Sequence, residues 1–269
     1  MRVSSTERML NYVVLTLFAL FAVAPVATIF VTALGPQLGI ATGGLHWGNF
    51  AEAWAQGDFG RALGRSLAVA ALVVTSALAL SVLAGYAFGT MRFPGSTLLF
   101  YLFLLGLMIP AEAIVIPLFF DFQAIGLTDT IWGVALPQIA QSTAFGAFWM
   151  RAQFRALPEN LLEAAAIDGS TSWSALWRIC VPPLLPSIVT VAVLMFMWTW
   201  NEFLIPLVMS PYKTWATAPL ALNVFQGQYT ADTALMASAG VIIAAPIVVA
   251  FVFGQRYFIN GMLEGATRG

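Results

Sequence analysis

The chain contains very few residues that could hold a metal ion or form a disulfide. Its 269 residues include one cysteine, Cys180, and one histidine, His46. A single cysteine cannot form an internal disulfide, and the sequence has neither a Cys-x-x-Cys pair nor a Cys/His cluster. We therefore predict no metal site, and we interpret His46 as a loop residue rather than a ligand.

Charged residues are also scarce, and their signs are nearly balanced. They make up 9% of the chain, with 12 acidic residues against 11 lysines and arginines. Without a basic excess, the chain is not expected to bind nucleic acid. The sequence also lacks a Gly-x-x-x-x-Gly-Lys-Ser/Thr phosphate loop, so we predict that this chain binds no nucleotide or other cofactor.

Apolar residues are abundant instead. They form 60% of the chain, against about 45–50% in a soluble domain, and the mean hydropathy is +0.88. The composition predicts an all-α integral membrane protein with a single transmembrane domain over residues 1–269. About 20 apolar residues cross a hydrocarbon core, and six such windows occur, at 10–34, 67–89, 97–120, 131–150, 183–209 and 234–259. The first is too long for a signal-peptide core and is expected to be retained.

Two other classes of membrane protein fit these residues poorly. An intramembrane enzyme would need paired acids, a Ser/His or Ser/Lys pair, or metal ligands, whereas the spans contain two separated acids, Glu112 and Glu202. We therefore predict no catalytic residue. A secondary transporter would show internal repeats with ion-binding groups near the midplane of the membrane, and no convincing repeat is found.

The distribution of cations predicts the orientation in the cell (inner or plasma) membrane, because cytoplasmic loops are enriched in Lys and Arg. Placing both termini in the cytoplasm puts eight cations on that side: Arg2, Arg8, Arg92, Arg151, Arg155, Arg178, Arg256 and Arg268. Three remain outside: Arg61, Arg65 and Lys213. The segment between the fourth and fifth spans is then cytoplasmic, and an outer loop covers residues 210–233.

That cytoplasmic segment predicts a short helix over residues 158–169. Pro158 suits the first helical position, and Glu159 and Glu163 favour the early turns. Gly169 can end the helix in the left-handed conformation. The small side chains of Ala164 and its neighbours would let another protein approach the backbone closely.

A second short helix is predicted after it. Ser170 or Ser172 can cap a helix that runs through Trp173 to Cys180, before two prolines begin the fifth span. The residues leave open whether the whole segment lies on the lipid surface or docks on a protein.

Two outer regions are further candidates. Glu202 lies within a span, where a carboxylate is costly unless it is paired or hydrated. The candidate pathway or gate residues are Glu112, Trp200, Asn201 and Glu202. The aromatic residues beside Glu202 fit either an interfacial belt or a wall for stacking sugars. The polar centre of the outer loop fits either an ordinary loop or a contact with another protein; it comprises Phe225, Gln226, Gly227, Gln228 and Tyr229.

The cytoplasmic segment resembles the EAA signature of the permease subunits of bacterial ATP-binding cassette importers. The matching pattern is Glu163-Ala164-Ala165, three residues, Gly169, nine residues, Ile179, one residue, and Val181-Pro182. The family usually has Leu where Val181 stands. Further matches resemble the carbohydrate branch and the second permease of the maltose transporter: residues 91–95, 108–110, 157–158, 200–203, 225–229 and 255–258.

The resemblance implies an importer of which this chain is one non-catalytic permease subunit. Its partners would be a second permease, expected to be a different chain, two ATPase subunits that hold ATP and Mg²⁺, an extracytoplasmic solute-binding protein and membrane lipid. It also implies that the helix is a coupling helix on the ATPase. The residues it assigns to coupling are Glu163, Ala164, Ala165, Ile167, Asp168, Gly169, Ile179 and Pro182.

Within this family, the resemblance implies a sugar as the solute, with a di- or oligosaccharide favoured. Glycerol 3-phosphate or another polar solute remains the alternative. The outer segment 225–229 would reach into the open cleft of the binding protein. A self-contained secondary transporter is the remaining, less favoured hypothesis.

Overall fold

The computed structural model describes residues 4–37, 43–226 and 232–266, and these residues form a series of helices. In chain order the α-helices are α1 (Ser5–Ala33), α2 (Gly48–Gln56), α3 (Phe59–Thr90), α4 (Ser96–Met108), α5 (Ala111–Ala124), α6 (Ile131–Arg155), α7 (Glu159–Ile167), α8 (Ser172–Ser174), α9 (Val181–Asn201), α10 (Leu204–Met209), α11 (Ala218–Ala221) and α12 (Thr233–Ala266). A π-helical turn, Ala175–Cys180, joins α8 to α9, and a 3-10 helix, Leu222–Phe225, follows α11. The predicted all-α class is confirmed for this part of the chain.

Four helical stretches of the described chain are long and apolar enough to cross a membrane. They are Thr6–Ala33, Phe59–Thr90, Ser172–Asn201 and Thr233–Gln255. The pair α4 and α5 would add a fifth if its two bent halves count as one crossing. The predicted number of six spans stays a prediction.

The predicted third span, 97–120, is not one straight helix. The axes of α4 and α5 differ by 97°. Ile109 and Pro110 between them have extended backbone, with ψ of 117° and 137°. Proline cannot donate a backbone hydrogen bond, and it disfavours the helical conformation of the residue before it. The break therefore follows from Pro110.

The predicted fourth span corresponds to α6, which is less apolar than the other long helices. Gln138 and Ser142 are nevertheless buried in it, at 4% and 6% exposure. Neighbouring helices cover this helix, so its side chains contact protein more than lipid. A helix in that position can carry polar groups that a lipid-facing helix cannot, which explains its lower hydropathy.

The predicted fifth span, 183–209, contains a break near its end. Helix α9 ends at Asn201, and α10 begins at Leu204. The Glu202 carboxylate accepts a hydrogen bond from the backbone N–H of Ile205 at 3.0 Å. Glu202 lies one residue before Phe203, the N-cap of α10, and satisfies one free N–H of the first turn of this helix, a role that the sequence did not predict.

The residues form two compact units, and the larger comprises the described parts of 61–220 and 246–269. Its core has two apolar clusters, and both α3 and α6 contribute to each. The first cluster joins them to the π-turn and α9: Ala77, Val82, Tyr86, Met150, Phe154, Leu176, Cys180, Leu184, Ile188, Val191 and Met195. The second joins them to α5 and α10: Val69, Val73, Val115, Val134, Ala135, Ile139, Ile205 and Met209.

The smaller unit comprises the described parts of 1–60 and 221–245. The most apolar window of α1 has no buried residue, which fits a helix surrounded by lipid. The end of α1 is held by side chains that satisfy its free carbonyl groups. The Asn49 side-chain amide donates to the oxygens of Ala33 and Gly35 at 2.8 and 2.9 Å. The Ser238 hydroxyl donates to Ala33 O at 3.0 Å.

Candidate functional site

The end of α7 has the geometry that the sequence predicted for Gly169. Gly169 has a φ of +73°, in the left-handed region. The N–H of Gly169 donates to Ala166 O at 3.1 Å, and the N–H of Ser170 donates to Ala165 O at 2.9 Å. This pair of bonds is a Schellman motif, which satisfies the last carbonyls of a helix. The helix is shorter than the predicted 158–169, because Pro158 is its N-cap and it ends at Ile167.

One side of α7 is packed and the other is free. Ala165 is 4% exposed, and Leu162 packs on the first core cluster. Glu163, Ala164 and Asp168 are exposed, and Ile167 is 86% exposed. An isoleucine left in water on a short helix is the kind of side chain that a partner protein covers.

The helix after Gly169 differs from the prediction. Its cap is Thr171, whose hydroxyl accepts from the N–H of Ser174 at 3.3 Å, rather than Ser170 or Ser172. It does not stop at Cys180 but continues through the π-turn into α9, as one stretch from Ser172 to Asn201. The π-turn ends at Cys180, one residue short of Pro182 and Pro183. Proline cannot donate to a preceding carbonyl, and a π-turn is one way for a helix to absorb the mismatch.

The remaining signature residues lie along this continuous helix. Ile179 is half-buried within the π-turn, and Pro182 is exposed at the start of α9. Helix α7 packs against the π-turn. The signature therefore covers two elements in direct contact, α7 and the base of the long helix.

A cavity of about 580 Å³ lies at the break between α4 and α5, where α6 and the end of α9 meet it. Glu112, Asn201 and Glu202 all line it, so the structure brings together three of the four predicted gate residues. Trp200, the fourth, is 2% exposed and packs on Phe196 at a ring distance of 5.4 Å. It points away from the cavity because its position on α9 faces the core.

Trp198 is one of the aromatic residues near Glu202 that the sequence assigned to an interfacial belt or a wall for stacking sugars. It lines the cavity and meets Phe145 edge-on at 4.7 Å. The polar lining residues of α6 were not predicted: Gln138, Gln141 and Ser142. Their spacing of three and four residues places them on one face of a helix, so this polar stripe in an apolar span was a signal that the sequence offered.

The cavity offers polar groups for a ligand. The Gln138 amide nitrogen donates to Val134 O at 2.8 Å, whereas its buried Oε1 atom has no hydrogen-bond partner among the described residues. Among the residues that the structure describes, the lining contains two carboxylates, Glu112 and Glu202, and no lysine or arginine. The site therefore has negative charge, hydrogen-bonding groups and an aromatic wall.

The outer segment 225–229 is described only in part. Phe225 is 5% exposed and stacks on Phe59 with an interplanar angle of 7°. Gln226 is exposed. Gly227, Gln228 and Tyr229 lie outside the described residues. Among the residues that the structure describes, no group of three His, Cys, Asp or Glu side chains could hold a metal ion.

Comparison with known proteins places the chain in a family. A family model described as "Binding-protein-dependent transport system inner membrane component" matches residues 77–263. The chain belongs to this family. Membership confirms the resemblance that the EAA signature indicated, and it makes the chain an inner-membrane component of such a transport system.

Individual relatives agree with this membership. The trehalose transport system permease protein of Mycobacterium tuberculosis is 33% identical over 94% of this chain and 95% of its own length. The diacetylchitobiose uptake system permease protein of Streptomyces coelicolor is 32% identical over 83% of this chain and 75% of its own length. A solved bacterial ABC transporter that imports the acidic polysaccharide alginate matches with a TM-score of 0.80 at 19% identity, over 96% of this chain and 99% of that chain. This last match supports the fold.

Proposed function

We propose that the chain is the permease subunit of an ATP-driven importer and forms half of the pathway for a neutral di- or oligosaccharide. In this proposal it has six spans, with both termini and α7 in the cytoplasm. Two ATPase subunits hold ATP and Mg²⁺, a different permease forms the other half of the pathway, and an extracytoplasmic binding protein delivers the sugar. The chain itself is not catalytic.

The observation that carries the proposal is the unbroken helix from Ser172 to Asn201. Its base, the π-turn, contacts α7, and its far end, at Asn201, lines the cavity. A helix of 30 residues is about 45 Å long. Movement of α7 would therefore move the side chains of the cavity, since a helix transmits displacement as a rigid element.

The free face of α7 suits a cleft on an ATPase. Ala164 adds little bulk, so the helix backbone can approach a partner closely, and Ile167 offers apolar area. The exposed Glu163 carboxylate can accept charge-assisted hydrogen bonds. Closure of the ATPase pair would then carry α7 with it and shift the spans between inward-open and outward-open states.

The lining of the cavity favours a neutral solute. Glu112 and Glu202 would repel a phosphate group, and the described residues of the lining include no cation to bind one. This disfavours glycerol 3-phosphate, the alternative solute. Amide and hydroxyl groups can hydrogen-bond sugar hydroxyls, and Trp198 provides an apolar wall. The relatives named for trehalose and diacetylchitobiose fit this assignment.

The outer segment 225–229 is proposed to contact the binding protein. Phe225 is held by its stacking on Phe59, so the residues that follow start from an anchored point. Glutamine and tyrosine side chains in this segment could replace the contacts that a bound sugar makes with the binding protein.

Purification from the native membrane in mild detergent, followed by mass spectrometry and reconstitution, tests the proposal. We expect an ATPase, a second permease and a binding protein to accompany the chain, and the reconstituted complex to import sugar only with ATP. Transport by the chain alone, without ATP, would instead identify a self-contained carrier.

Filling the cavity should reduce uptake. Gly106 lines it, and an added Cβ would meet only Ala144 Cβ, at 3.6 Å. We expect Gly106→Phe to place its ring in the cavity and lower sugar uptake about tenfold, equivalent to about 1.4 kcal/mol in the barrier. Gly240→Phe is the control, because no described heavy atom lies within 4 Å of its Cβ. Equal uptake by both variants would exclude the cavity from the pathway.

A further inference from the structure

A second cavity, of about 570 Å³, lies at the start of α4, whereas the first cavity lies at the end of that helix. It is enclosed by the end of α3, the start of α4, the end of α6 and the start of α7. Three arginines line it: Arg92, Arg151 and Arg155. Among the lining residues whose side chains the structure describes, Glu163 is the one acidic residue, so this described set has an excess of positive charge.

Contacts of Arg151 hold part of the positive charge of this cavity in place. The Arg151 Nε–H donates to Phe88 O at 3.3 Å, and its guanidinium lies 3.9 Å from the centre of the Phe100 ring. Arg92 and Arg155 are exposed, and neither forms an ion pair or hydrogen bond with the side chains that the structure describes. Three like charges around one cavity repel one another, and an anion between them would remove that repulsion.

The first turn of α4 adds further favourable groups for an anion. Ser96 and Thr97 line the cavity, and their hydroxyls can donate hydrogen bonds. The N-cap of α4 is Gly95, with a φ of +80°, and no side chain caps this helix. The start of a 13-residue helix therefore supplies backbone N–H groups and a partial positive charge to the same space.

The surface that continues from this cavity is apolar. Helix α4 exposes Leu98, Tyr101, Leu102 and Leu105, at 66%, 59%, 52% and 51%. Four phenylalanines form a cluster beside the arginines, with Phe88 in contact with the others and Arg151 over the ring of Phe100: Phe88, Phe93, Phe100 and Phe103. A ligand that matches both parts needs an anionic head and long apolar chains.

We propose that this cavity binds the phosphate of an anionic phospholipid of the cytoplasmic leaflet, with the acyl chains along α4. Basic pockets between transmembrane helices on the cytoplasmic side are suited to such headgroups. The placement on that side rests on the proposed function. Pro158, Leu162 and Glu163 belong to the lining, so the bound lipid contacts α7 and the turn that joins α6 to α7.

Lipid retention by the whole complex tests this site. The complex is reconstituted in phosphatidylcholine vesicles containing phosphatidylglycerol and re-extracted, and the bound lipids are counted by native mass spectrometry. We expect the wild type to retain phosphatidylglycerol. Each cation near an anionic headgroup contributes about fivefold, so the double variant Arg92→Gln/Arg155→Gln should bind it roughly thirtyfold more weakly. Arg151 is left in place because its contacts also support the packing of α6.

Two control variants keep the result interpretable. Arg178→Gln removes a cation of the same cytoplasmic segment that does not line the cavity, and it should retain lipid like the wild type. Arg92→Lys/Arg155→Lys keeps both charges and should retain most of the lipid, which separates loss of charge from misfolding. Equal phosphatidylglycerol retention by the glutamine double variant and the wild type would overturn the proposal.

Other occupants give different results. Arginine-dependent binding of labelled inorganic phosphate in pure phosphatidylcholine vesicles, without retention of phosphatidylglycerol, would assign the cavity to a soluble anion and overturn the lipid site. Loss of the ATPase from the glutamine double variant with unchanged lipid retention would assign the arginines to acidic side chains of that partner, and would equally overturn it. The same mass spectra give the subunit composition of the complex. A wild-type complex that lacks an ATPase would contradict the proposed function, whereas the number of bound lipids would still test the lipid site.

Discussion

Replacement of Gly169 by proline is expected to abolish coupled sugar uptake while the complex still assembles in the membrane. Proline fixes φ near −65°, whereas Gly169 has a φ of +73° and donates its N–H to Ala166 O. The substitution therefore breaks the Schellman motif at the end of α7. A cost of about 3 kcal/mol would lower the population of correctly placed α7 roughly a hundredfold. Uptake and ATP hydrolysis are measured on the same proteoliposomes.

The control for this prediction is Gly169→Asn. Asparagine tolerates the left-handed conformation better than other side chains, and no described heavy atom lies within 4 Å of a Cβ at this position. Uptake should remain within a few fold of the wild type. If the proline variant imports sugar as well as the asparagine variant, the end of α7 has no part in coupling.

Replacement of Gly85 by alanine is expected to loosen the contact between α3 and α6. A Cβ at Gly85 would lie 2.9 Å from the backbone carbon of Met150 and 3.0 Å from the backbone nitrogen of Arg151. Backbone atoms cannot rotate away as a side chain can, so the helices must separate. Overpacking of this kind costs about 1–3 kcal/mol, which corresponds to a fall in Tm of about 5 °C in a protein of this size.

The same helix supplies the control. Gly64 also lies in α3, and no described heavy atom is within 4 Å of its Cβ. Gly64→Ala should leave Tm unchanged or raise it, because glycine lowers helix stability by about 0.5–1 kcal/mol relative to alanine. Thermal unfolding of the detergent-purified complex, followed by tryptophan fluorescence, compares the two. Equal Tm values would show that α3 and α6 do not approach so closely at Gly85.

Close packing at Gly85 also bears on how motion would pass through the molecule. Small residues let transmembrane helices approach at backbone distance. Gly146 on α6 is a second such position, since an added Cβ would lie 2.6 Å from Ser81 Cβ of α3. Because α3 and α6 are held together in this way, displacement of α7 is expected to act mainly on the long helix whose π-turn contacts α7.

Local features of the chain were predictable where neighbouring residues decide them. The left-handed turn at Gly169 and the break at Pro110 follow from the backbone preferences of glycine and proline. The cap at Thr171 was missed because three adjacent hydroxyl residues are equally good candidates by composition. The continuation of the helix past Cys180 was missed because prolines usually mark a helix start, and a π-turn has no sequence signal of comparable strength.

The sequence by itself determined that this is a helical membrane protein of the importer family. Long apolar runs must form helices because lipid cannot satisfy free backbone groups, and the EAA signature is a local pattern. Only the tertiary structure decided that Trp198 rather than Trp200 faces the cavity, that Glu112 shares it with Glu202, and that three arginines surround a second one. These groupings join residues that are distant in the chain. They depend on how each helix is rotated about its axis against its neighbours, and apolar composition does not determine that rotation.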